Sequence, residues 1–258
     1  MNNVIELNII QFLIVYLLLI IVLAIMKKAK VNQSKQVLIA SFKMSIQLVL
    51  AGFILTYIFK EPKPIYVIIY LICMCSFAIH RIISKNSSLN TKFKHVISYC
   101  FLGSTLTIVI FFITIIVGTS IFNPIYTIPL SGMIIGNAMN GVTIALKTFN
   151  ESLHANHLKI DTLLAIGVSP KNVLLPFVSS SLETALLPTM NSMLGMGIIS
   201  LPGMMSGQIL AGTLPMTAIL YQIAIMIAIT CVVTLTVFST LYLGYRTLYN
   251  NRNQITIN

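Results

Sequence analysis

Long apolar runs alternate with short polar connectors along the whole chain. The runs predict membrane-spanning helices at Ile5–Met26, Val37–Phe59, Pro64–Ile82, Val96–Val117, Ile125–Ala145, Val173–Ser200 and Met216–Tyr242. The second run is interrupted by Lys43, which is placed to snorkel to the basic end, and by Gln47, placed for an interhelical hydrogen bond. Prolines break the 60–64 connector, and Pro202-Gly203 breaks the 201–213 stretch. Between Glu183 and Thr213 the pattern allows either a full crossing or a partial fold-back. The largest polar interruption is Lys147–Lys171, whose later part, Ile160 to Gly167, has helical spacing, with Ile160, Leu163, Leu164 and Gly167 on one face and Asp161 beside them. A short amphipathic helix there is expected to dock in the groove of another protein.

Composition agrees with the pattern: 258 residues are 57% hydrophobic and 8% charged, with a mean hydropathy of +0.95. Soluble domains carry about 25% charged residues, so the expected class is an all-α polytopic membrane bundle of about seven helices forming a single permease-sized domain over 1–258. The formal charge of +11 does not point to nucleic acid, because the basic residues sit in short connectors beside apolar spans. Connectors 27–35, 81–95 and 147–171 and the tail hold thirteen Lys/Arg, against Lys60 and Lys63 in the opposite set. That asymmetry predicts the N-terminus outside, the C-terminus cytoplasmic and the 147–171 island cytoplasmic. The N-terminal run carries an acid and no preceding base and is too long for a cleaved signal, so it is expected to stay in the bilayer.

Chemistry is sparse. No GxxxxGK[ST], HExxH, GxSxG or CxxC occurs, so no catalytic residue is assigned and the chain has no P-loop of its own. Cys73, Cys75, Cys100 and Cys231 lie in apolar segments without paired spacing and are expected to be free thiols. His154 and His157 are spaced for one ligand but are expected to be solvated, and no metal site is assigned. Glu183 is the one acid expected within a span in the second half, placed for snorkelling or capping. With so few intramembrane acids, energy for active transport has to come from elsewhere. The polar and soft residues Asn137, Asn140, Asn191, Met193, Met196, Met204, Met205 and Gln208 are candidates for a substrate path, with Pro202 and Gly203 as a hinge. Methionine also serves as flexible core filling. A stand-alone secondary transporter or channel for a metal or small organic solute, a lipid-modifying enzyme and an assembly protein are the alternative readings.

GMIIGNAMNGVTIAL (132–146), LLPTMNSMLGMGIISLPGMMSGQILAG (186–212) and YQIAIM (221–226), with KMSIQLVLAGFIL (43–55), closely resemble the FetB-type ABC transporter permeases. That family includes bacterial iron-export permeases and plant permeases linked to aluminium tolerance. The resemblance implies a cell-membrane permease subunit exporting iron or another metal, a cytoplasmic ATPase partner that binds ATP and Mg, and an assembly of two permeases with two ATPases. No cofactor is then expected on this chain. DTLLAIG is similar to the acid-Ala-Ala-xxx-Gly ATPase-coupling loop of ABC permeases, with Asp161 and Gly167 at the same spacing but Thr162 and Leu163 in place of the alanines. Pro176 falls earlier than the importer pattern places its Leu-Pro, and Glu183 stands where relatives are expected to have a base. Glu151, Asp161, Leu164 and Gly167 are the expected coupling residues.

Overall fold

Four prolines, Pro64, Pro124, Pro170 and Pro215, each occupy the first turn of a helix, where the missing N–H has no helical partner to lose. The computed structural model describes residues 8–86 and 89–249. Residues 5–7 of the expected first span and Arg252 of the basic tail lie outside them. The helices are α1 (Ile9–Lys28), α2 (Ser34–Lys60), α3 (Pro64–Lys85), α4 (Thr91–Phe111), α5 (Pro124–Ala155), α6 (His157–Ala165), α7 (Pro170–Gly195), α8 (Gly203–Leu210) and α9 (Pro215–Gly244). A π-helical turn, Phe112–Ile116, continues α4. Seven of these segments are long and apolar enough to cross a membrane: α1 to α5, α7 and α9, with α4 extended by its π turn. Among the described residues no β-strand forms; an isolated bridge joins Met196 and Ser200.

The 183–213 stretch is resolved by α7 and α8. Glu183 lies inside α7, which is a full-length helix, whereas α8 has eight residues and a rise of about 12 Å, too short to span. The 147–171 island is not a loop. α5 runs on through it to Ala155, so its 32 residues make a rod of about 48 Å, well beyond a hydrocarbon core of about 30 Å. Two shorter helical ends, α6 and the start of α7, complete the island.

The chain forms two compact units, residues 1–62 with 210–212, and residues 63–209 with 213–258. The first is built on the α1–α2 hairpin, whose helices meet through a hydrogen bond between Tyr16 Oη and Ser45 Oγ. Ser41 and Ser45 return their hydroxyls to carbonyls one turn back, at 3.0 Å each. Lys43, like most of α2, is exposed.

The second unit is organised around α5 and α9, which pack on each other and on α4 and α7, with α3 against α5. α5 buries Ile134, Ala138, Val142, Ala145, Phe149 and Leu153, and α9 buries Ile225, Ile229, Val233, Val237 and Leu241. In a bilayer these contacts stabilise by close packing rather than by leaving water, so small residues at crossings matter. Two buried hydroxyls bond their own helix, Thr105 to the Phe101 carbonyl at 2.6 Å and Thr236 to the Val232 carbonyl at 2.6 Å, whereas those of Thr127, Ser131, Ser181 and Thr240 have no protein partner. At the basic end Asn90 caps α4 by accepting from the Phe93 amide at 2.7 Å, and its Nδ2 donates to the Thr247 carbonyl at 2.8 Å. That one side chain starts α4 and ties it to the 3-10 turn, Tyr245–Thr247, that follows α9.

Candidate functional site

α6 is seated on the second unit by the face the periodicity predicts, but that face is turned inward. Ile160 is buried, while Leu163 and Leu164 are half-buried against the core formed with α5 and α7. Leu164, expected to meet a partner, is therefore part of the helix's own seat. The opposite face carries Leu158, Asp161, Thr162 and Ala165, with Ile166 at the end, all exposed. Leu158 and Ile166 are 72% and 71% exposed. Asp161 is the fifth of the nine residues of α6, beyond the first turn where the helix dipole would favour an acid. Glu151 belongs to α5 and lies 3.8 Å from Lys147 one turn back, away from α6 itself.

Gly167 ends α6 as a backbone device. Its φ of +92° is the left-handed region, its N–H donates to the Leu164 carbonyl at 3.0 Å, and the next amide, Val168, donates to Leu163 at 3.0 Å. This pair of bonds is a Schellman motif, which closes the helix and turns the chain toward α7. His157 Nδ1 lies 3.0 Å from the His154 carbonyl, so that ring is engaged by backbone rather than poised with His154 around a shared ligand.

Asn137 and Asn140 line a cleft of about 270 Å³ between α5 and α7 that also takes in Lys85 and Thr189. Asn137 Nδ2 donates to the Met133 carbonyl at 2.8 Å, which leaves its carbonyl oxygen to the cleft. Lys85 and Thr143 also line a second cleft of about 550 Å³ with Lys147, Asn150, Glu151 and His154. The two clefts together make a polar strip along α5 from its basic end to Asn137.

Toward the other end, Met193, Met196, Pro202 and Met205 line a cleft of about 500 Å³ with α9 residues that include Gln222 and Met226. The turn between α7 and α8 is pinned by the Gly197 amide on the Ser200 carbonyl at 3.0 Å and by Ile199 and Ser200 on the Gly195 carbonyl. Gln222 is 5% exposed, with its Nε2 3.9 Å from the Met196 sulfur and its carbonyl oxygen without a partner. The Thr230 hydroxyl donates to the Met193 sulfur at 3.3 Å. Asn191 is exposed outside these clefts, Met204 packs against the core, and Gln208 lies apart with a buried, unpaired carbonyl oxygen. Gly203 opens α8, while the Pro202 carbonyl accepts the Ser206 amide at 2.9 Å. Of the path candidates, Asn137 and Asn140 thus fall in one cleft and Met193, Met196 and Met205 in another, while Asn191, Met204 and Gln208 line neither. Sequence reasoning missed Gln222 and Met226, although a lone amide in an otherwise apolar run is a visible signal.

A helical bundle with seven potential spans and internal clefts defines a multi-pass membrane protein. The profile described as Uncharacterised protein family (UPF0014) matches residues 9–249, and the chain belongs to that family. It is 31% identical over 238 residues to the probable iron export permease protein FetB of Escherichia coli, covering 90% of this chain and 89% of that one. A UPF0014 membrane protein of Synechocystis is 30% identical over 238 residues, covering 91% of each chain. Protein ALUMINUM SENSITIVE 3 of Arabidopsis thaliana is 28% identical over 211 residues, 81% of this chain and 76% of that relative. No solved structure matches.

Proposed function

We propose that this chain is the membrane-spanning permease subunit of an ABC transporter in the cell membrane, exporting iron or another metal with ATP hydrolysed on a separate cytoplasmic ATPase. The observation that carries the reading is α6: a helix fixed to the body by Ile160, Leu163 and Leu164 while Leu158, Asp161, Thr162, Ala165 and Ile166 stand exposed at the basic end. Exposed leucine and isoleucine on a firmly seated polar-end helix suit a partner groove. The family relationship to a named probable iron export permease supports the metal and the direction. ATP and Mg belong to the partner, and two permeases with two ATPases supply two such helices.

In this reading the ATPase grips the outer face of α6, and force passes through its inner face to α5 and α7, which flank the polar strip. Lys85, Asn137, Asn140 and Thr143 then receive substrate at the inner mouth. The test is co-purification with a candidate cytoplasmic ABC ATPase co-expressed with the permease. Leu158→Glu with Ile166→Glu is expected to reduce ATPase recovery at least tenfold, whereas Lys159→Glu leaves it within twofold. Wild-type recovery with the double variant would sink the docking claim. ATP-independent flux through the isolated permease would sink the ABC reading.

A further inference from the structure

We propose that the cleft between α7, α8 and α9 binds a soft monovalent metal cation of the Cu(I) or Ag(I) type, through the thioethers of Met196, Met205 and Met226 and the carbonyl oxygen of Gln222. Its role as a stop on an export path rests on the reading above with a metal other than iron as the cargo; the binding itself is a property of this chain alone.

The side chains are arranged in depth. Met205 and Met226 are 9% and 8% exposed and sit with Gln222 at the base, Met196 is half-buried beside the amide, and Met193 lies at the rim with its sulfur accepting from Thr230. Methionine alone is ordinary core filling, because its three rotatable bonds fit irregular gaps. The amide is what changes the reading. Gln222 is nine-tenths buried in an apolar cleft, its oxygen has no donor, and its nitrogen has only a long contact to sulfur. A buried unpaired carbonyl is costly and calls for a donor or a cation. An acyl chain filling the cleft would leave it unpaired.

The lining then sets the class of cation. Thioethers are soft neutral donors, matched to Cu(I) and poorly matched to hard, oxygen-seeking ions. No carboxylate lines the cleft, and among the described residues no cluster of three His, Cys, Asp or Glu stands ready for a metal. With neutral donors in an apolar setting, the Born cost of burial rises with the square of the charge, which favours a monovalent ion. Methionine side chains have the torsional freedom to bring sulfur onto the ion without moving the helices.

The experiment uses the full chain in lipid nanodiscs, labelled with methyl-13C methionine and titrated with Ag(I) as a redox-silent probe. Methyl resonances of Met196, Met205 and Met226, assigned by single Met→Leu variants, are expected to shift together and saturate at one equivalent. The cysteines compete for silver, but methionine methyls report the cleft directly. Gln222→Leu is expected to weaken binding about threefold or more, and Met205→Leu with Met226→Leu at least tenfold. Fe(II) at the same concentration is expected to leave these resonances in place. Silver shifts confined to other methionines, equal shifts with Fe(II), or resonances that respond only to lipid composition would overturn the site. If the double variant fails to fold, the wild-type titration and Met196→Leu still decide. Failure here leaves the ATPase pulldown untouched, and failure of the pulldown leaves the silver titration untouched.

Discussion

Gly244 stands where α9 passes the start of α4, and a Cβ there would lie 2.4 Å from the Phe93 ring. That ring is fully buried, one turn beyond the Asn90 cap, so it has little room to retreat. Gly244→Ala is expected to destabilise by about 1–3 kcal/mol through overpacking, even though alanine is the better helix former. Thermal unfolding in detergent checks this, and adding Phe93→Leu should restore part of the loss. Gly167→Ala strains a φ of +92° and is expected to cost about 1 kcal/mol, measured the same way. Gln222→Leu goes the other way: removing a buried, unpaired amide oxygen is neutral or stabilising in the metal-free protein. Of these residues, Gly167 was singled out by its spacing after Asp161, though as a coupling residue rather than as the left-handed end of α6. Gly244 was not, because only the crossing of two helices distant in sequence creates the need for it.

At the scale of elements, α6 is the decisive case. The spacing of Ile160, Leu163 and Leu164 correctly marked an apolar face, yet it could not say whether that face meets a partner or the protein's own core. Packing on α5 and α7 settled the matter, and the remaining side chains became the exposed face. Asp161→Arg alone, on that face, is expected to lower ATPase recovery less than the Leu158 and Ile166 pair, since an exposed charge contributes little. Pulldown yields ranked in the reverse order would place the contact on the acid instead. Helix starts were nearly legible: the expected spans at Ile125, Val173 and Met216 open one to three residues earlier, on prolines. The helical extension of α5 through Lys147–Ala155 was not legible from hydropathy. Its outward residues are polar, while Phe149 and Leu153 hold it to the unit from within.

For the whole molecule, hydropathy alone conveyed the number of spans and the all-α class, because each span is a helix with an apolar stretch long enough to cross a bilayer. It could not convey that five of the eight path candidates fall in two separate clefts and three in neither, since that depends on which faces of α5, α7 and α9 meet. The expected orientation has its own test. An epitope inserted after Pro62 is expected to be accessible from outside intact cells, and one inserted after Asn156 only after permeabilisation. The reverse pattern would overturn both the orientation and the placing of α6 beside an ATPase. A mechanical consequence follows from the length of α5, whose internal proline, Pro129, lies close to its far end. A stiff rod of about 48 Å that carries α6 at one end acts as a lever. A tilt of about 5° about its far end would displace the α6 end by about 4 Å, on the scale of one helical turn. Asn137 and Asn140, partway along the rod, would move by a smaller share of the same stroke. The position of each side chain along α5 therefore sets how far it travels, as gearing does.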